Sequence, residues 1–214
     1  MSRGIVVCVH GLWMPGEEML FVKHQLEKNH DWQCELFSYP SVRGTLDENA
    51  ELLADFVHNL AGDTIHIVGH SLGGVIALRM LSLETTAIGG RLVCMGSPLS
   101  GSRTAANLHK SDWVSPLLGR SISDGVVGQA AAEWATSATA RYEVGSIAGT
   151  MSVGMGRLVA RFEGENDGTV AVDETELQGM TDHLCMPVSH SGMVLSTDVV
   201  DQVAAFLKHG KFNR

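Results

Sequence analysis

Residues 65–80 read IHIVGHSLGGVIALRM, and no other stretch narrows the possible folds as far. An apolar run of strand length ends at Val68, and a helical pattern begins at Leu72. Between them the chain must turn within a few residues, at Gly69-His70-Ser71-Leu72-Gly73. A serine on so tight a strand-to-helix corner is forced into a strained backbone conformation that exposes its hydroxyl above a sheet. Glycines two before and two after leave room for strand and helix to approach. The helix that follows offers unpaired N–H groups and a partial positive charge to any oxyanion formed there. The plainer alternative is an N-cap serine beside turn glycines.

The rest of the chain repeats the same alternation. Short continuous apolar runs at 5–9, 34–39, 65–68, 91–95, 141–147 and 184–188 read as strands buried on both faces. Helical periodicity separates several of them, over 17–28, 45–62, 72–83 and 199–207. In the second helix Thr45 and Glu48 fit a capping box. Leu52, Leu53, Phe56, Val57 and Leu60 fit one apolar face there, and Gly62 fits a terminator. In the last, Val199, Val200, Val203, Phe206 and Leu207 are expected to face inward. This pattern predicts an α/β fold: a mainly parallel sheet of about six strands flanked by helices, as a single domain over 1–214. Residues 102–140 are expected to form short helices over one end of the sheet, and 149–164 a loop.

Charge and composition exclude some functions. Hydrophobic residues make up 44 % of the 214 and the net charge is −9, so the chain is globular and acidic. It has no basic stripe for a nucleic acid. No segment reaches the length of a membrane span, and the Ile5–Val9 run is too short for a signal-peptide core. A cytoplasmic protein is expected, with no stable membrane insertion; oligomeric state is not legible. Of the four cysteines, Cys8, Cys34 and Cys94 lie in strands and Cys185 in an apolar run, with no C-x-x-C pair. Reduced core thiols are expected, rather than disulfides or zinc.

A serine hydroxyl needs a base, and the base needs a carboxylate. Ten histidines are available. His190 follows the last strand in a polar loop, at the sheet's carboxyl edge, where ligands bind in such folds. His183 precedes that strand, His66 lies within a strand as a packed core residue, and His70 points elsewhere because it adjoins the serine. For the acid, Asp167 in NDGTV begins a loop facing the serine's edge, against the rivals Glu165, Asp173 and Asp182. Asp167 is also readable as a simple Asx-turn residue. The backbone N–H groups of Leu12, after the first strand, and of Leu72 would hold an oxyanion, each donor being worth about 2.7–4 kcal/mol in the transition state. Trp13, Met14, Leu99 and Met193 flank these loops as candidate substrate contacts or as loop anchors.

VHGLW, GHSLGG, MGSPLSGS, NDGTV and SHSGM together make the chain resemble α/β-hydrolases of the lipase/esterase type, from residue 5 to residue 207. The chain opens directly on the oxyanion strand and leaves little room for a lid, so the resemblance is to small bacterial members without a large cap. It implies a serine carboxylic ester hydrolase acting on a small acyl ester, with catalytic Ser71, Asp167 and His190 and no cofactor or metal. A thioesterase or acyltransferase using the same site, or a hydrolase fold that only binds a ligand, are the alternatives.

Overall fold

The computed structural model describes residues 4–62, 64–83, 87–101, 130–152 and 164–214. Six strands form one sheet: β1 (Ile5–Val9), β2 (Gln33–Phe37), β3 (Ile65–His70), β4 (Leu92–Met95), β5 (Val144–Gly149) and β6 (Asp182–Met186). Their order is β2-β1-β3-β4-β5-β6, and every neighbouring pair is parallel. Helices α1 (Leu20–His30), α2 (Leu46–His58), α3 (Leu72–Ser82), α4 (Ala130–Thr139) and α5 (Thr197–His209) connect or follow them. A single 3-10 turn, Gly16–Met19, leads into α1.

Alternate strand residues serve two cores. Val7, Val9, Ile65, Ile67, Leu92, Cys94 and Val144 pack with residues of α2, α3 and α4. Val6, Cys8, Cys34, Val68, Val93, Met95 and Ile147 pack with α1 and α5. Because both faces are covered, the central strands read as continuous apolar runs. The connection after β1 leads to α1 on one face, and that after β3 leads to α3 on the other. The two strands are neighbours, with Val9 opposite Gly69, so their carboxyl ends open a crevice where the order of the sheet reverses. All residues that carry the candidate chemistry gather at this edge.

The capping box of α2 is formed: the Glu48 N–H donates to Thr45 Oγ1 at 3.1 Å and the Thr45 N–H to Glu48 Oε2 at 2.8 Å. Its buried stripe is narrower than the sequence implies, comprising Leu46, Ala50, Leu53 and Val57 with Asn49. Leu52 lies about 100° around the helix from Leu53 and is 46 % exposed. The helix ends at Asn59 rather than Gly62. All five apolar positions named on α5 are buried. Every strand but β1 has a boundary shifted by one to three residues. β5 runs on to Gly149, which pairs with Met186, and begins only at Val144. β6 starts at Asp182, an edge position where a polar side chain remains reachable by the Phe212 N–H, at 2.9 Å, and by Arg214. Cys185 on this edge strand is exposed, unlike the buried Cys8, Cys34 and Cys94; all four thiols are free. The expected helices over 102–129, and the loop over 153–163, lie outside the described residues. Among the described residues no large cap covers the sheet and no helix is long and apolar enough to cross a membrane.

His66 illustrates how a core histidine is satisfied. Its ring is 4 % exposed and meets Trp32 edge-on at 5.0 Å between centroids. Nδ1 accepts the Arg91 N–H at 3.0 Å. Burial, helped by the Arg91 charge, pulls its pKa down to about 4. Between about 6.5 and 4 the unfolded chain therefore binds a proton that the folded chain refuses, and stability falls as pH falls through that window. Above about 6.5 the contribution is fully present. The drop is on the order of 3 kcal/mol for this one group. Urea titrations of wild type and His66→Gln at a series of pH values test this: the wild-type curve should lose more stability across the window, by about that amount.

Candidate active site

Ser71 alone makes the corner between β3 and α3, at φ 52° and ψ −121°. A non-glycine residue held at such a φ costs about 1–3 kcal/mol and persists only where its surroundings over-determine it. The surroundings here are backbone. The Ser71 N–H donates to Met95 O at 2.9 Å and its carbonyl accepts from Gly74 N at 3.2 Å. A Cβ on Gly69 would lie 2.4 Å from Gly74 N, and one on Gly73 would lie 2.4 Å from Val9 O and 2.5 Å from His10 O. Strand, helix and the neighbouring strand thus touch main chain to main chain, which is why both flanking glycines are required. Ser71 stands at the N-cap of α3, yet its side chain makes no cap hydrogen bond. The plain capping role is not what holds it there.

His190 and Asp167 meet at the same edge, on loops after β6 and β5. His190 Nδ1 lies 2.7 Å from Asp167 Oδ2, and the His190 main-chain N–H donates to Asp167 O at 2.9 Å. The other carboxylate oxygen accepts the N–H groups of Thr169, at 2.8 Å, and Val170, at 2.7 Å. Asp167 is therefore an Asx-turn residue and an imidazole partner at once. It is 1 % exposed. With Nδ1–H donated to the carboxylate, a neutral His190 ring leaves Nε2 as an acceptor. The floor of the pair is Gly96, at φ 56°, whose Cβ would lie 3.0 Å from Asp167 Oδ2 and 3.2 Å from His190 Nδ1. Gly96 follows Met95, the residue that receives the Ser71 N–H, so the serine corner and the pair adjoin across β4. The rival carboxylates lie elsewhere. Glu165 and Asp173 are exposed, and Asp182 binds Phe212 and Arg214 at the far end of β6. His183 lies near Asp182 and faces Thr175 at 2.9 Å.

The loop after β1 completes the rim. His10 is buried, stacked on Tyr39 at 4.3 Å; its Nδ1–H donates to Gly11 O at 2.8 Å and its Nε2 accepts the Tyr39 N–H at 3.3 Å. An Nε2 that accepts an N–H belongs to a neutral ring, and burial pushes its pKa down despite the Gly11 carbonyl and the nearby Glu18. A Cβ on Gly11 would lie 3.3 Å from Ser71 Cβ, which brings this loop against the serine. Leu72 is the first residue of α3, a position whose N–H has no intrahelical acceptor. Among the described residues neither its N–H nor that of Leu12 is paired. Trp13 and Met14 are 56 % and 45 % exposed, whereas Leu99 and Met193 are fully buried, one in each core. Of the four candidate substrate contacts, only the first two present a surface. Among the described residues no cluster of three His, Cys, Asp or Glu side chains could hold a metal ion.

Sequence reasoning missed Glu18. It caps none of the helices, yet its carboxylate accepts the Gly11 N–H at 2.7 Å and faces His70 Nδ1 at 3.0 Å. Its neighbour Glu17 is exposed, and nothing in the local pattern separates the two.

Comparison with known proteins agrees with this fold. The alpha/beta hydrolase family model matches residues 6–202, and the chain belongs to that family. No curated protein matches in sequence. Among solved structures, the mature form of Bacillus licheniformis lipase BlEst2 superposes with a TM-score of 0.77 at 18 % identity, covering 99 % of this chain and 93 % of that one. An esterase of Pyrococcus furiosus gives 0.67 at 18 % identity, covering 98 % and 83 %. A metagenomic carboxyl esterase gives 0.61 at 20 % identity, covering 89 % and 65 %. At such identities the likeness is one of fold.

The glycine corner makes a direct prediction about stability. Gly73→Ala would drive a methyl into two backbone carbonyls and should lower the unfolding free energy by about 1–3 kcal/mol. Gly62→Ala, whose nearest new neighbour would be the flexible tip of Ile5 at 3.3 Å, should stay within about 0.5 kcal/mol of wild type. Paired urea denaturation curves measure both.

Proposed function

We propose that this chain is a serine carboxylic ester hydrolase, a single catalytic domain over residues 1–214 acting on small acyl esters. One observation carries the reading most: the 2.7 Å His190–Asp167 pair lies on the same rim as a serine held at positive φ with an uncommitted hydroxyl. In this reading Ser71 Oγ attacks the ester carbonyl while His190 Nε2 takes its proton. The N–H groups of Leu12 and Leu72 receive the oxyanion. The tetrahedral intermediate then expels the alcohol, which is protonated by His190, and leaves an acyl-Ser71. Water, deprotonated by the same nitrogen, adds to the acyl carbonyl; the acid departs and the serine recovers its proton. Asp167 stays ionised throughout, fixing the ring and balancing the imidazolium. Trp13 and Met14 would lie against the acyl or alcohol group.

Ser71→Ala should remove p-nitrophenyl acetate turnover and labelling by a fluorophosphonate probe. Asp167→Asn should lower kcat by at least about 10³-fold, because the amide can present an N–H to Nδ1 and favour the wrong tautomer. Undiminished turnover in Ser71→Ala would end the proposal. Comparing kcat/KM for matched oxygen and sulfur esters separates an esterase from a thioesterase.

A further inference from the structure

We propose that Glu18 and His70 act as a buried ion pair that positions the catalytic base, with His70 held as an imidazolium that clamps the main chain of His190. This rests on the reading of Ser71 and His190 given above, and it assigns function to two residues which that reading does not use.

The partners of the His70 ring carry the argument. Nδ1 faces Glu18 Oε1 at 3.0 Å, and Nε2 faces the carbonyl oxygen of His190 at 3.1 Å. A carbonyl only accepts, and an ionised carboxylate only accepts. With Glu18 ionised, both ring nitrogens donate, and the ring carries two protons and a positive charge. His10, just after β1, has the opposite arrangement, one acceptor and one backbone donor, and is neutral. Glu18 is suited to the role. Burial pushes its carboxyl upward, but the hydrogen bond and charge of His70 together with the Gly11 N–H outweigh this and hold it below its ordinary value. Its side chain is 7 % exposed and that of His70 is 3 %. The titratable groups facing the pair are His10 at the end of β1, Tyr39 after β2, and His190 with Asp167 behind it.

Three loops meet in this unit. Glu18 holds Gly11, whose neighbour Leu12 is the proposed oxyanion donor. His70 is the residue before the nucleophile. His190 is then fixed at three points: its ring by Asp167 Oδ2, its N–H by Asp167 O and its carbonyl by His70. The rings of His70 and His190 lie 4.8 Å apart, so a change in one is felt by the other. Glu18 and His70 touch no reacting atom; they are positioning residues. Neutralising Glu18 removes the reason for the second proton on His70, and the His190 loop loses one anchor. Misplacement of a base by about 1 Å is worth about 10²-fold in rate.

The test uses the whole protein and Glu18→Gln. Long-range ¹H–¹⁵N spectra of the histidine rings at neutral pH should show protons on both His70 nitrogens in wild type and on only one in the variant. In the same variant kcat for p-nitrophenyl acetate should fall about 10- to 100-fold while KM stays within about twofold. A singly protonated His70 in wild type overturns the proposal, as does an E18Q enzyme with wild-type kcat. If E18Q does not fold, the wild-type spectrum together with His70→Gln decides. That side chain keeps a donor toward His190 O but no charge, and unchanged kcat in H70Q overturns the proposal. Failure of the ester-hydrolase reading looks different: wild type itself would neither turn over the ester nor take the fluorophosphonate, while the ring spectra would still report the ion pair.

Discussion

The close approach of three backbones at the end of β3 is the constraint from which the rest follows. β1, β3 and the first turn of α3 touch through Gly69 and Gly73, where a Cβ would fall 2.4 Å from a main-chain atom. This contact leaves a single residue to reverse the chain, and that residue takes a conformation an L-amino acid avoids. The sheet supplies the compensation, with parallel pairings on both sides of β3 and a covered core on each face. The same contact brings the β1 loop against Ser71 and leaves the first amides of α3 directed at the rim.

Electrostatics at the rim is decided atom by atom rather than by net charge. Two buried histidines and the half-buried His190 differ in circumstance. His66 and His10 each take a backbone N–H at one nitrogen, and burial pushes the pKa of both down. His190 gives its Nδ1–H to a carboxylate that two further N–H groups already hold in place. The partner of each nitrogen, not the residue type, fixes where the proton sits. Asp167 shows the same economy: its turn-forming hydrogen bonds and its imidazole contact use different oxygens.

Much of this was legible beforehand. Period-two burial on both faces leaves continuous apolar runs, so the central strands announce themselves, and the Thr45–Glu48 box and the apolar stripe of α5 are local signals that tertiary packing does not override. The failures have physical causes too. Leu52 lies off the stripe by one helical step, and adjacency in sequence says nothing about that step. Gly149 joins β5 although glycine has little preference for strands, because Met186 pairs with it. Cys185 and Asp182 lie on an edge strand, where half-exposure relaxes the pattern.

By itself the amino-acid order determined the parallel α/β class, the glycine corner with its serine, and the loop on which each candidate partner rides, since each of these depends on a period or a turn contained within a few residues. Tertiary structure alone decided which carboxylate faces His190, that Leu99 and Met193 are core rather than surface, and that Glu18 reaches across to His70. Those are contacts between residues far apart in the chain, 52 positions in the pairing of Glu18 with His70, and the register of a parallel sheet, not any local propensity, sets such distances.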